Sequence, residues 1–86
     1  MSYSTNFTPE SITDLSKIDS SNKLRIARKI KWLQENFEQI TPIPLTGNLV
    51  GYFKLRIGDY RVIYSINYSS KILIIHQIGH RRGVYD

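Results

Sequence analysis

The residues of this chain able to do chemistry are lysines, arginines and tyrosines, and they sit in two short stretches. "VGYFKLRIGDYRVIYSINY" (50–68) carries Lys54, Arg56 and Arg61 around a Gly58-Asp59 pair, and "GHRRGVYD" (79–86) carries His80, Arg81, Arg82 and Tyr85. Such a set suits a phosphodiester. Arginine offers a two-pronged fork to phosphate oxygens. A lysine crowded by other cations gives up its proton more readily, which makes Lys54 a candidate general base. An arginine can neutralise the charge that builds as an oxygen attacks phosphorus. Tyr85 can stack on an unpaired base or anchor the C-terminus as an apolar plug. RNA fits this toolkit better than DNA, because its 2′-hydroxyl is a built-in nucleophile. Cleavage to a cyclic phosphate is then accessible without a metal.

Other chemistries are poorly served. The chain has no cysteine, so thiolate catalysis, disulfides and Cys-based zinc sites are excluded. No carboxylate pair accompanies the cations, and no glycine-rich loop precedes a helix. His76 and His80 look like a metal pair, but on an extended strand they stand about 13 Å apart, too far to share one ion. His76 reads as a satisfied sheet histidine. His80 reads as a tail residue, a phosphate contact or a proton donor. Neither a metal nor a cofactor is expected.

The elements that must position these residues follow from pattern. Residues 3–7 alternate weakly and suit a first strand. Thr8-Pro9-Glu10 then reads as a cap, a first-turn proline and an early acid, with Ile12, Leu15 and Ile18 as the stripe of a short helix. The 19–22 break can cap a second helix over about 22–38, whose Ile26, Ile30, Leu33 and Phe37 recur at helical spacing. Its Lys23, Arg25, Arg28, Lys29 and Lys31 read as a solvated face. Residues 39–48 are a loop. Gly58-Asp59 suits a two-residue hairpin turn, which pairs Phe53 with Tyr64, Leu55 with Val62 and Ile57 with Tyr60 on the core face. On the other face Tyr52 pairs with Ser65, Lys54 with Ile63 and Arg56 with Arg61. Two arginines across a ladder repel unless an anion lies nearby; the alternative is an open solvated face. "KILIIHQIGH" (71–80) is a third hairpin strand, with Ile72 to Ile75 expected to be covered on both faces. Strict alternation puts His80, not Arg81, on the side of His76 and Ile78, and Gly79 is a candidate bulge that would re-aim the tail.

At 86 residues the chain is one domain, 1–86, with a single modest core. Its net charge of +5 is uneven. Residues 1–22 carry Lys17 against Glu10, Asp14 and Asp19, a net −2, which leaves +7 on residues 23–86. A basic body of this kind suggests a polyanionic partner, either nucleic acid or an acidic protein segment. No apolar run is long enough to cross a membrane, and "MSYSTNF" lacks the pattern of a signal peptide, so no membrane partner and a cytoplasmic location are expected.

Together, the "L-x-G" loop (Leu45, Gly47), "KLRIGDYRVIY" and "IGHRRGVY" resemble the RelE/ParE superfamily of type II toxin–antitoxin toxins, in particular the RelE-type mRNA interferases, over nearly the full length. The resemblance implies an α+β RelE-like fold, with an N-terminal strand and a helical hairpin packed on one face of a mainly antiparallel four-stranded sheet. It also implies a ribosome-dependent endoribonuclease that cuts mRNA in the A site, leaving a 2′,3′-cyclic phosphate and a 5′-hydroxyl. The family's general base matches Lys54 and its phosphate-holding arginine Arg61. The arginine at the leaving oxygen matches Arg81, and the base-stacking tyrosine matches Tyr85. Arg56, Tyr52, His80 and Arg82 are expected to contact RNA or phosphate; at Tyr52 some relatives have a second lysine. Implied partners are a cognate antitoxin, the ribosome and mRNA, with operator DNA reached only through the antitoxin complex. ParE-like toxins of the same superfamily inhibit DNA gyrase by binding and generally lack this residue set.

Overall fold

Thr8 ends the first strand and starts the first helix in one step. Its side chain accepts the Ser11 backbone N–H, and Pro9 occupies the first helical turn, where a missing N–H costs nothing. Asp19 does the same for the second helix by accepting from Asn22, which holds its carboxyl at about 2, well below the usual carboxylate value. The computed structural model describes residues 3–82. Tyr85 lies outside the described residues.

Strand β1 (Ser4–Phe7) is followed by helices α1 (Pro9–Ser16) and α2 (Ser20–Asn36), and a 3-10 turn (Phe37–Gln39) extends α2. Then come β2 (Ile43–Pro44), β3 (Phe53–Ile57), β4 (Tyr60–Asn67) and β5 (Ile72–His80). The architecture is α+β, as expected, but the sheet has five strands in the order β1-β5-β4-β3-β2 rather than four. The extra strand is the two-residue β2 inside the stretch read as a loop, where Ile43 and Pro44 pair with Lys54 and Phe53. Its position at the sheet edge is where a proline, which has no N–H to donate, is tolerated. β1 runs parallel to β5, while the other pairs are antiparallel.

α2 closes one face of the sheet. Ile26, Ile30, Leu33 and Phe37 are all buried against Val62, Tyr64, Leu73, Ile75 and Ile78. Fully burying side chains of this size is worth about 1.5–3 kcal/mol each. α1 lies differently. It continues past the end of β1 along the edge of β5, where Asp14 accepts the Ile78 backbone N–H at 3.1 Å and Thr8 donates its hydroxyl to the His76 carbonyl. This edge position tucks Leu15 and Ile18 against the core and buries Ser11, but leaves Ile12 exposed instead of continuing the expected stripe. None of the helices among the described residues is long and apolar enough to cross a membrane.

The hairpin register is the one read from sequence: Phe53–Tyr64, Lys54–Ile63, Leu55–Val62, Arg56–Arg61 and Ile57–Tyr60. The strand covered on both faces is β4 rather than β5. Arg61, Val62, Ile63 and Tyr64 are all buried, whereas Ile72 and Ile74 are only half-buried. The second cover comes from residues 45–52, which bring Leu45, Leu49 and Tyr52 onto Ile63 from the side opposite α2.

β5 holds the largest departure. Its pairing with β4 shifts by one residue between Ile63 and Tyr64: Ile63 faces Gln77 while Tyr64 faces Ile75, leaving His76 as the extra residue of a bulge. Gly79 stays in the ladder opposite Arg61 and hosts no bulge. The physical reason lies in spacing. Ile75 and Ile78 both belong in the core, yet strict alternation would send Ile78 outward and the Gln77 amide inward. One extra residue lets both isoleucines face α2. His76 and Ile78 therefore lie on opposite faces, contrary to strict alternation.

Candidate functional site

The bulge decides which face each residue at the end of β5 presents. Downstream of His76, Ile78 and His80 share the α2 side, while Gly79 lies on the side of Arg61 and Arg81 follows in the turn after the strand. Arg81 donates its backbone N–H to the Asp59 carbonyl at 2.7 Å, which fastens the end of β5 to the hairpin turn. One strand over and two residues along, the Arg81 backbone lies about 8 Å from that of Arg61.

Arg61 is the most enclosed cation of the group at 5% exposure. One guanidinium nitrogen donates to the Gly58 carbonyl at 3.3 Å and to the Tyr60 carbonyl at 3.2 Å. Its neighbour across the ladder on β5 is Gly79, which has no side chain to compete for the space. Arg56 stands opposite Arg61 and is exposed. Lys54 is half-buried on the same face, about 7 Å further along β3. Lys54, Arg56 and Arg61 thus rise from two adjacent strands at the hairpin end of one sheet face, with the Arg81 backbone fastened to the turn beside them.

His80 does not join them. The His80 ring meets Tyr60 edge-on at 5.7 Å, on the α2 side, and its Nδ1 accepts the Arg82 backbone N–H. His80 therefore lies on the face opposite Arg61. Arg82 is exposed in the turn after β5. The two histidines face opposite sides and share no site. Tyr52 belongs to the Arg61 face, as expected, but packs on Ile63 and meets His76 edge-on at 5.0 Å rather than lying paired with Ser65 in the ladder.

Two features were missed in the sequence. His76, turned out by the bulge, accepts or donates a short 2.7 Å hydrogen bond between Nε2 and Ser65 Oγ. With Tyr52, Leu49, Ile63, Glu10 and Asp14 it lines a cleft of about 600 Å³ beside the cations. Burial pushes the His76 imidazole below its ordinary 6.5, partly opposed by the Glu10 carboxylate. The signal in the sequence was the three-residue spacing of Ile75 and Ile78. The second feature is a groove at the open edge of β3, where Arg56 meets Arg25, Arg28, Lys29 and Trp32. Three of the five α2 cations read as a solvated face thus line a shared basic groove. Lys29 Nζ sits 3.8 Å over the Trp32 ring.

A family profile described as "ParE toxin of type II toxin-antitoxin system, parDE" matches residues 6–85. The chain belongs to the RelE/ParE superfamily of type II toxins. It is similar in structure to the toxin–antitoxin complex RelBE2 from Mycobacterium tuberculosis, with TM-score 0.84 and 26% identity over 94% of this chain and 100% of the other. An archaeal RelE–RelB complex from Pyrococcus horikoshii OT3 matches with TM-score 0.73 and 24% identity, covering 94% of this chain and 97% of that one. A YoeB/ParE toxin from Agrobacterium tumefaciens matches with TM-score 0.74 and 22% identity, covering 91% and 98%. The last two likenesses bear on the fold alone. No curated protein sequence matches this one.

Proposed function

We propose that this toxin is a metal-independent endoribonuclease that cuts mRNA on the ribosome. The observation that supports the reading is the backbone hydrogen bond from Arg81 to Asp59, which holds the Arg81 backbone at the hairpin turn flanked by Arg56 and Arg61. In this scheme Lys54 removes the proton of a 2′-hydroxyl, whose oxygen attacks the adjacent phosphorus. Arg61, anchored to the hairpin carbonyls, holds the non-bridging oxygens as their charge grows. The bond from phosphorus to the 5′-oxygen breaks, and Arg81 stabilises and protonates that leaving oxygen. The products are a 2′,3′-cyclic phosphate and a 5′-hydroxyl. Arg56 adds positive potential beside the linkage, Tyr85 stacks on a base, and Tyr52 and Arg82 flank the RNA path.

A cognate antitoxin is the expected partner, because similar structures are toxin–antitoxin complexes. Operator DNA is then reached through that complex. A basic toxin with a small core gains stability when an acidic segment folds over it.

The test is single-turnover cleavage of mRNA on programmed ribosomes in the presence of a chelator. A cyclic-phosphate product with wild type, lost with Arg81→Ala, supports the proposal; intact mRNA with wild type refutes it. The ParE description of the matching family favours one second reading, inhibition of DNA gyrase by binding, in which the cations bind without cutting. Gyrase-linked DNA breaks with intact mRNA would establish it.

A further inference from the structure

Charge is segregated along one sheet face. Lys54, Arg56 and Arg61 occupy the hairpin end, and the cleft between α1 and residues 45–52 occupies the other. The two regions touch, because Ile63, on the cleft floor, is the ladder partner of Lys54. Pro9, Leu49, Ile63 and Tyr52 give the cleft apolar and aromatic walls, while Glu10 and Asp14 line the α1 side. A phosphate is repelled from carboxylates and drawn to the cations; a nucleobase is tolerated by the first and gains from the aromatic surface. An unpaired nucleotide has the same division between its phosphate and its base.

We infer that this cleft is a base-reading subsite, taking the nucleobase next to the cleaved linkage and favouring bases that present amino hydrogens. The inference deepens the proposed nuclease reading and rests on it for the phosphate position. Ionised carboxylates only accept hydrogen bonds, so they select donors such as the amino groups of cytosine or adenine. Uracil turns carbonyl oxygens toward them instead. Asp14 already accepts the Ile78 N–H through one oxygen, which fixes its carboxylate at the cleft wall. The Ser65–His76 bond and the edge-on His76–Tyr52 contact fix the facing wall, so the site is held from both sides.

The test uses ribosomes carrying mRNAs that differ at a single A-site nucleotide, each codon position being varied in turn, with single-turnover rates measured for wild type and Glu10→Ala. One position should show about tenfold faster cutting with cytosine than with uracil, the order expected for one good base contact. In Glu10→Ala that preference should collapse, the cytosine and uracil rates approaching one another. An identical codon profile in both proteins overturns the subsite. If wild type cuts no mRNA, the nuclease reading fails separately, and the subsite is judged by NMR of Tyr52 and His76 ring signals titrated with cytidine and uridine trinucleotides. Preferential movement by the cytidine trimer upholds base reading, and equal or absent movement overturns it.

Discussion

In the proposed mechanism Arg61 holds both the hairpin and the substrate with one guanidinium, and Arg61→Met separates the two duties. Methionine keeps much of the apolar stem but removes both bonds to the Gly58 and Tyr60 carbonyls. The donor is a charged guanidinium, for which a bond is worth about 1.5–3 kcal/mol; at 3.2–3.3 Å the lower end applies to each, and together they contribute about 3 kcal/mol. A chain of this length has a total stability of about 4–13 kcal/mol. The variant should therefore stay folded, with a lower urea midpoint and an unchanged slope. Cleavage should suffer more. Loss of a preorganised charge at the reacting phosphate costs about 10²–10³ in rate. The assay pairs urea denaturation with single-turnover cleavage of mRNA on programmed ribosomes. Lower stability with an undiminished cleavage rate would make Arg61 a turn clamp and nothing more.

Other predictions separate single roles. Lys54→Ala should slow single-turnover cleavage by about 10²–10⁴ while ribosome affinity changes little; parallel loss of both would remove Lys54 as the base. Thr8→Ala should cost about 1 kcal/mol in urea unfolding, since it uncaps α1, and Thr8→Ser should restore most of it. His76 adds a pH dependence. Its folded value lies below the ordinary 6.5, so the unfolded chain takes up the proton first, and stability should fall as pH drops below about 6.5 until the folded form also protonates. His76→Gln should flatten that limb in thermal melts from pH 7 to 5, and an unchanged limb would assign it to another group.

Much of the site was legible because a two-residue turn fixes register. Once Gly58-Asp59 was taken as the turn, the Arg56–Arg61 and Lys54–Ile63 pairs followed, and all are present. The Thr8 and Asp19 caps and the α2 stripe were equally local, each carried by side chains within a few residues. What alternation alone missed was non-local. The bulge arises because Ile75 and Ile78 must both reach a core built by α2, and no rule of period two contains that demand. The same missing residue of register hid the face of His80. The buried outer side of β4 depended on residues 45–52 folding back, where Gly47 and Gly51 adopt positive φ and redirect the chain. The α1 placement at the sheet edge, which leaves Ile12 exposed, likewise depends on where β1 stops pairing.

Mapping of mRNA 5′ ends shortly after toxin induction shows whether one sheet face assembles a catalytic group for RNA. Wild type should give codon-phased cuts with 5′-hydroxyl ends that vanish in Arg81→Ala despite equal protein levels. Intact mRNA alongside gyrase-dependent DNA breaks would contradict it.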